Sequence, residues 1–395
     1  MNVYFDNAAT TSVNKEVAVR INKINNNCFG NPSSVHGFGQ DARGIIEKSK
    51  IQIAKIINCD FSEIVFTSGG SEANNLAIKG VIEGGDSNKP HIITSKIEHH
   101  SVLHLIEKLE KDGKIEADYI KVNSAGIVKL EDIARKIKKN TVLVSIMYVN
   151  NETGSVQPIR EIGKAIEKIN TQRINKRLAK IYFHSDAIQA AVSQKLDVLY
   201  LHVDLLTLSA HKINGPKGSG LLYVKSGISL KPQIIGGNQE NGKRAGTENV
   251  SGIAGFSKAL SITFEGRGRK IKKLENLRDY FIQEINSEIP KARLNSHKKN
   301  SSPHIINISF KGAEAEAILL GLDMAGIAAS SGSACTSEAL EPSHVLLAMG
   351  VEPLLAQSSV RFSFSVDNTE KEIDYVIRNL KEIVKRLRII SPIKN

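Results

Sequence analysis

"EIVFTSGGSEANNLAIKG", residues 63–80, decides how this chain folds. A short apolar run, a glycine pair, a serine and then a stretch rich in small residues spell strand, tight turn and helix. The helix is expected to start near Glu72. The pattern repeats outward. "HIITSKI" precedes a helix near Val102 and "TVLVSIMYV" precedes one near Arg160, while "KIYFHSD", "LLTLSA" and "GLLYVK" add further apolar runs. Strands that are apolar throughout, alternating with helices, predict an α/β fold around a mostly parallel sheet.

Near residue 262 the character changes. A charged helical stretch over about 266–289 leads to "INISFKG", the helix-like "AEAEAILLGLDMAG", the strand-like "SVRFSFSV" and a last helix. Thr369 and Glu372 predict a capping box for that helix. Ile373, Val376, Ile377, Leu380, Ile383, Val384 and Leu387 predict its buried face. The expected division is a large domain over 16–262 and a smaller α+β domain from 1–15 and 263–395. The length of 395 residues agrees with two domains.

Composition narrows the function. Charged residues make up 24% and no apolar run approaches a membrane span. The N-terminus "MNVYFDNAATT" lacks a basic region followed by an apolar one, so the expected compartment is the cytoplasm. Three cysteines, Cys28, Cys59 and Cys335, are odd in number and far apart, which argues against disulfides and a cysteine-rich zinc site. Cys28 and Cys59 read as packing residues. The net charge of +12 is spread over segments such as "KIKKN" and "VKRLR" with few aromatics, so no direct nucleic-acid partner is expected.

Four segments carry chemistry. In "SAHKINGPKGSG", residues 209–220, Lys212 follows an apolar strand and precedes a Gly/Pro turn, a rigid mount for a nucleophilic amine. Such a lysine suits a Schiff base with pyridoxal phosphate. In "FHSDAIQAA", Asp186 could keep a pyridine nitrogen protonated and Gln189 could reach the ring oxygen, although taken alone Asp186 reads better as a helix cap. In the opening stretch, Gly70 and Ser71 are expected to contact a phosphate at a helix N-terminus; neither a Walker A loop nor a GxGxxG fingerprint is present. In "IEHHSVLHL", His99 could stack on a ring and move protons. His100 and His104 are four apart, but with no third ligand evident no metal is expected.

In this order these segments resemble the cysteine desulfurases of the NifS/IscS type, within the class-V aminotransferase-like, fold-type I pyridoxal phosphate enzymes. The resemblance runs through "YFDNAATT", "GNPSSVHGFG", "TSGGSEANNLAI", "EHHSVL", "NNETGSVQPI", "FHSDAIQA", "SAHKINGPKGSG", "RAGTENV", "SSGSACTS" and "RFSFS". It implies a seven-stranded type of sheet. It assigns Lys212 as the cofactor lysine, Ser209, His211, Gly70 and Ser71 to the phosphate, and His99 to ring stacking and acid–base work. It places Asn151 near the ring hydroxyl, Asp186 at the pyridine nitrogen and Gln189 at the ring oxygen. Thr247 would reach the phosphate of a neighbouring subunit, implying a homodimer. Arg361, helped by Asn31, would clamp the substrate carboxylate. Cys335 would take sulfur from L-cysteine as a persulfide and hand it to an acceptor protein, a cluster scaffold or a tRNA-thiolation enzyme. The long form "SACTSEALEPSHVL" matches the branch with an extended cysteine loop.

Three departures stand out: Ser185 where relatives carry valine, "SFSVDN" after Arg361, and a longer segment before the Asp186 strand, about 165–181. The alternative activities are a selenocysteine lyase or another β-eliminating lyase. A non-catalytic scaffold would have no use for Lys212, Asp186, His99, Arg361 and Cys335 together.

Overall fold

The structure, a computed structural model, describes residues 1–332 and 342–390. Cys335, and every reading made of it, lies outside the described residues. The chain begins with the two-residue strand β1 (Val3–Tyr4). Seven strands follow: β2 (Ile64–Thr67), β3 (His91–Ser95), β4 (Glu116–Ile120), β5 (Thr141–Ser145), β6 (Tyr182–Asp186), β7 (Leu205–Ser209) and β8 (Gly220–Val224). They form one sheet in the order β2-β8-β7-β6-β5-β3-β4, in which only β8 runs antiparallel to its neighbours.

Alternate residues of these strands point to opposite faces, and both faces are covered. Phe66, Ile93, Val144, Leu206 and Leu221 enter one apolar cluster with Ile53, Ile57, Ile162, Ile166 and Phe256. Their chain neighbours Val65, Ile92, Leu143, Leu205 and Leu222 enter another, with Leu76, Ala77, Val102 and Ile106. Burial on both faces is why these strands read as unbroken apolar runs. β4 is the exception. It is the sheet's edge, only half buried, and its Asp118 pairs with Lys136 at 2.9 Å and with His91 at 3.2 Å. Charged side chains blunt such an edge against further pairing, and they hide the strand from an apolar pattern.

The helices start where the sequence pattern puts them, over Gly70–Gly84, His100–Lys111 and Ile159–Asn175. The longer segment before β6 is the end of the last of these. Arg173 folds back there, donating to the carbonyls of Lys138, Lys139, Thr141 and Ala179 at 2.7–3.0 Å. Those bonds order a stretch rich in lysine and asparagine.

Beyond the helices Val250–Phe264 and Arg267–Glu288 lie β9 (Ala292–Leu294), β10 (Ile305–Phe310), β11 (Ile327–Ala328) and β12 (Ser359–Ser363). β11 pairs in parallel with β1, and β12-β10-β9 form an antiparallel sheet. Here one face only is apolar. Ile306, Ile308, Phe310, Val360 and Phe362 pack with Phe281, Val376 and Leu380. Asn307, Ser309 and Arg361, one residue out of phase, take the other face. Arg361 lies directly opposite Asn307 in the ladder. The final helix, Glu370–Ile390, carries its expected box: the Thr369 N–H donates to Glu372 Oε2 at 2.7 Å and the Glu372 N–H to Thr369 Oγ1 at 3.3 Å. A cap of this kind stabilises a helix by about 1 kcal/mol.

The N-terminal segment links the two regions. Phe5 sits in the smaller core against Phe281 and Phe364, Asp6 bridges to Ser363, and the Thr11 N–H reaches the carbonyl of His211 at 2.9 Å. Residues 6–11 therefore cross directly over the end of the large sheet.

Candidate active site

The C-terminal ends of β2, β3, β5, β6 and β7 lie along one edge of the sheet. That edge is where parallel sheets bind ligands, because loops diverge from it and helix N-termini point at it. A cavity of ≈ 270 Å³ opens there, lined among others by His99, Asn151, Asp186, Gln189, Lys212 and Arg361. These six come from segments up to 262 residues apart in sequence, so only folding brings them together.

Lys212 follows β7 through one 3-10 turn, Ala210–Lys212. Its Nζ donates to the carbonyls of Ala8 at 2.7 Å and Ala9 at 2.6 Å. Asp186 ends β6 and is 4% exposed; its Oδ1 accepts from the Ile188 N–H at 3.0 Å and its Oδ2 from Asn74 Nδ2 at 2.8 Å. Gln189 borders the cavity, with its amide donating to the Ala8 carbonyl at 2.9 Å and its oxygen bonded to His304 at 3.2 Å. His99 is the N-cap of helix His100–Lys111, where its Nδ1 accepts from the Ser101 N–H at 3.1 Å. Burial holds its pKa below the ordinary imidazole value, against the pull of Asp186.

The glycine turn has the shape of an anion cradle. Gly69 and Gly70 open the 15-residue helix Gly70–Gly84, whose dipole and free N–H groups favour negative charge. A Cβ on Gly70 would collide with the Ile188 side chain, and a Cβ on Gly220 would stand 2.5 Å from the Gly69 carbonyl carbon. Beside this turn the buried Ser209 Oγ has no hydrogen-bond partner among the described residues. A buried hydroxyl left unpaired costs roughly 1–3 kcal/mol, which a bound oxyanion would relieve. His211, depressed to about 4 by burial and then by Lys212, is neutral and bonds Thr10 at 3.1 Å. Phosphate at the glycine turn and Ser209, a protonated ring nitrogen at Asp186 and an amine at Lys212 fit pyridoxal phosphate.

Arg361 forms the opposite wall. It is 3% exposed, with NH2 on Asp6 Oδ1 at 2.9 Å and NH1 on the Asn151 carbonyl at 3.0 Å, while Nε has no partner among the described residues. Asn151 itself lines the cavity. Next to it Glu152 is buried; burial raises its carboxyl to about 7, against the Ser343 hydroxyl at 2.5 Å and the charge of Arg361. A side chain on Gly332 would strike the Glu152 carboxylate, which accounts for the glycine of "SSGSACTS". Glu98, behind His99, is also buried, and burial lifts it to about 8 although Ser95 Oγ and the Met147 N–H bond to it.

Gly70, Ser209 and His211 are not among the residues lining the cavity, and three further expected residues have exposed side chains. Ser71 is exposed on the first turn of its helix, Asn31 is exposed with its Oδ1 accepting from the Ser33 N–H at 2.9 Å, and Thr247 is exposed. His100 lines the cavity and stacks on His104 with ring centroids 4.3 Å apart, and its ring centroid is 4.9 Å from that of His344. Among the described residues no group of histidine, cysteine or carboxylate side chains is placed to hold a metal. Cys59 packs against the large core only in part, and burial pushes its thiol up to about 12, an unreactive state. Sequence reasoning missed Asp6, the Ala8 and Ala9 carbonyls, Asn74 and Glu152. All of these lie inside the quoted motifs, and the charged Asp6 and Glu152 are the two whose residue type could have marked them.

Residues 3–376 match the family model described as aminotransferase class-V. The chain is 45% identical over 392 residues to the cysteine desulfurase IscS of Dictyoglomus turgidum, covering 99% of this chain and 97% of that one. It is 42% identical to the putative cysteine desulfurase IscS 1 of Bacillus subtilis, covering 98% and 99%. Among solved structures, a NifS-like protein superimposes with a TM-score of 0.90 at 35% identity, covering 98% of this chain and 100% of that one. A NifS-like protein from Rickettsia africae gives 0.85 at 32%, with the same coverage. Fold, the residues gathered at the sheet edge and full-length similarity agree: the chain belongs to the pyridoxal-phosphate-dependent cysteine desulfurases of the class-V aminotransferase family.

Proposed function

We propose that this chain removes sulfur from L-cysteine, releasing L-alanine, and carries it as a persulfide on Cys335. The convergence of Lys212, Asp186, His99 and Arg361 on one cavity carries this reading. Atoms balance without an external oxidant: cysteine and the Cys335 thiol become alanine and the Cys335 persulfide.

Bound pyridoxal phosphate supplies an electron sink for the α-carbon of the substrate. Ser209, His211 and the N–H groups at Gly70 and Ser71 would hold its phosphate, and Gln189 and Asn151 would serve its ring oxygen. Asp186 would keep a proton on its ring nitrogen. Lys212, at a strand end and steadied by two main-chain carbonyls, takes the α-proton on Nζ. Arg361 turns Nε and an NH2 edge to the substrate carboxylate, the paired geometry that arginine offers. The deprotonated Cys335 thiol attacks the substrate sulfur. His99 steadies the ring and the proton movements beside it.

The chain works as a homodimer. Thr247 is exposed, away from its own cavity, and Phe29, Val35, Phe38 and Ile235 are 60–90% exposed, an apolar surface suited to a second copy. The acceptors are thiol proteins, a cluster scaffold or a tRNA-thiolation enzyme, in a reducing compartment such as the cytoplasm. No helix among the described residues is long and apolar enough to cross a membrane.

The test compares sulfide and alanine release from L-cysteine, with pyridoxal phosphate and a thiol reductant, in wild type and Cys335→Ala. Wild type makes both products, while the variant binds cysteine and releases no sulfide. Equal sulfide release from the variant would replace this reading with a direct β-eliminating lyase.

A further inference from the structure

Asn74 lies on the second turn of helix Gly70–Gly84 and is completely buried. Its one amide nitrogen is 2.8 Å from Asp186 Oδ2 and 2.9 Å from Ser101 Oγ. Ser101 Oγ is in turn 2.8 Å from His99 Nδ1, and the Ser101 N–H donates to the same Nδ1 at 3.1 Å. Four side chains from three segments thus form one continuous line from the carboxylate to the imidazole.

Only one arrangement of protons satisfies this line. A carboxylate accepts, so the Asn74 atom facing Asp186 is the amide nitrogen, and its second hydrogen goes to Ser101 Oγ. Ser101 Oγ then accepts from Asn74 and is left to donate its own proton to His99 Nδ1. The Ser101 backbone N–H cannot do anything but donate, and it too points at Nδ1. Nδ1 therefore carries a lone pair, and a neutral His99 carries its proton on Nε2.

We propose that Asn74 and Ser101 are positioning residues that couple Asp186 to His99 and fix His99 as the neutral Nε2–H tautomer. The inference rests on the reading of Asp186 and His99 as cofactor-facing groups. In the resting protein His99 then acts as a hydrogen-bond donor. A proton on Nδ1 would displace both the Ser101 hydroxyl and the Ser101 N–H that donate to it. Protonating Nδ1 outright would also break the cap of helix His100–Lys111, whose N-terminal dipole opposes a cation. The other titratable groups facing His99 are Lys212, His100, His104 and His344.

The experiment is nitrogen NMR of the holoenzyme labelled on histidine, with His99→Gln to identify the resonances. The expected spectrum has a pyridine-type Nδ1 and a pyrrole-type Nε2 for His99 at about pH 6.5, where a free imidazole is half protonated. A pyrrole-type Nδ1, or a charged ring, overturns the proposal. In parallel, cofactor affinity and the pH midpoint of the visible cofactor band are measured for Asn74→Ala, Ser101→Ala, Ser101→Thr and Asp186→Ala. Asn74→Ala should weaken cofactor binding about tenfold and move the midpoint. Ser101→Ala should let the two His99 tautomers exchange, and Ser101→Thr should restore the single one. An unchanged Asn74→Ala together with a defective Asp186→Ala would sink the coupling and leave the site standing. If instead Asp186→Ala binds cofactor as wild type does, the site reading itself fails. Should Asn74→Ala not fold, the wild-type spectrum and the two Ser101 variants still decide.

Discussion

The two walls of the cavity are built on different principles. The sheet wall holds Asp186, Lys212 and His99 in a web of main-chain carbonyls, backbone N–H groups and neutral side chains, with the Ser209 hydroxyl unpaired among the described residues. The Arg361 wall stands on the polar face of a small antiparallel sheet and is held by a charge, Asp6, with Nε unpaired among the described residues. A web of neutral bonds preorganises a site for a guest that stays, such as a cofactor. An arginine held at both terminal nitrogens, with Nε unpaired among the described residues, suits a carboxylate that comes and goes.

If that contrast is right, breaking the sheet wall should cost chemistry and breaking the other should cost affinity. The largest effect is expected for Lys212→Ala: turnover down by on the order of 10³–10⁴-fold, with loss of the visible cofactor band, measured by alanine release and absorbance. Arg361→Lys comes next. A single ammonium cannot present two parallel N–H groups, so KM for cysteine should rise about 10–100-fold while the visible band is unchanged. An altered band with unchanged KM would erase the distinction between the walls.

A smaller effect separates two glycines of the cradle. In Gly220→Ala the new methyl meets the Gly69 backbone, which has nowhere to go, whereas in Gly70→Ala it meets the end of the Ile188 side chain, which can turn. Gly220→Ala is expected to lose roughly 1–3 kcal/mol of stability and the larger share of cofactor affinity. Equal losses in the two variants, by thermal unfolding and cofactor titration, would remove the argument.

The smallest effect concerns Glu98. Its carboxyl titrates near 8 when folded and in the ordinary range when unfolded, so between those values the folded protein holds a proton that the unfolded chain has released. Stability from this group is present at acid pH and lost as pH rises toward 8. Glu98→Gln, which keeps the acceptor for Ser95 and Met147, should match wild type near pH 4.5 and exceed it above about pH 8, on the order of 2 kcal/mol. Denaturant midpoints across that range check the sign.

Much of this was legible because burial on both faces writes long apolar runs, and because Lys212, Asp186 and His99 sit at the ends of such runs. β4 was not legible, since an edge strand carrying Glu116 and Asp118 carries no such run. The Ala8 and Ala9 carbonyls were not, because the main chain that steadies Lys212 has no side-chain signature. Asn74 looked like any polar residue of a helix; only the packing of Gly70–Gly84 against β6 and against the helix His100–Lys111 gives it two partners. Asn31 and Thr247 were legible as family residues, but the fold of one chain leaves both at the surface.

The measurement that bears most directly on the central claim is the intact and digested mass of the protein after exposure to L-cysteine without reductant. The account requires one added sulfur, on Cys335, and none on Cys28 or Cys59. Sulfide appearing with no sulfur on any cysteine, or with the sulfur on Cys28 or Cys59, would contradict it.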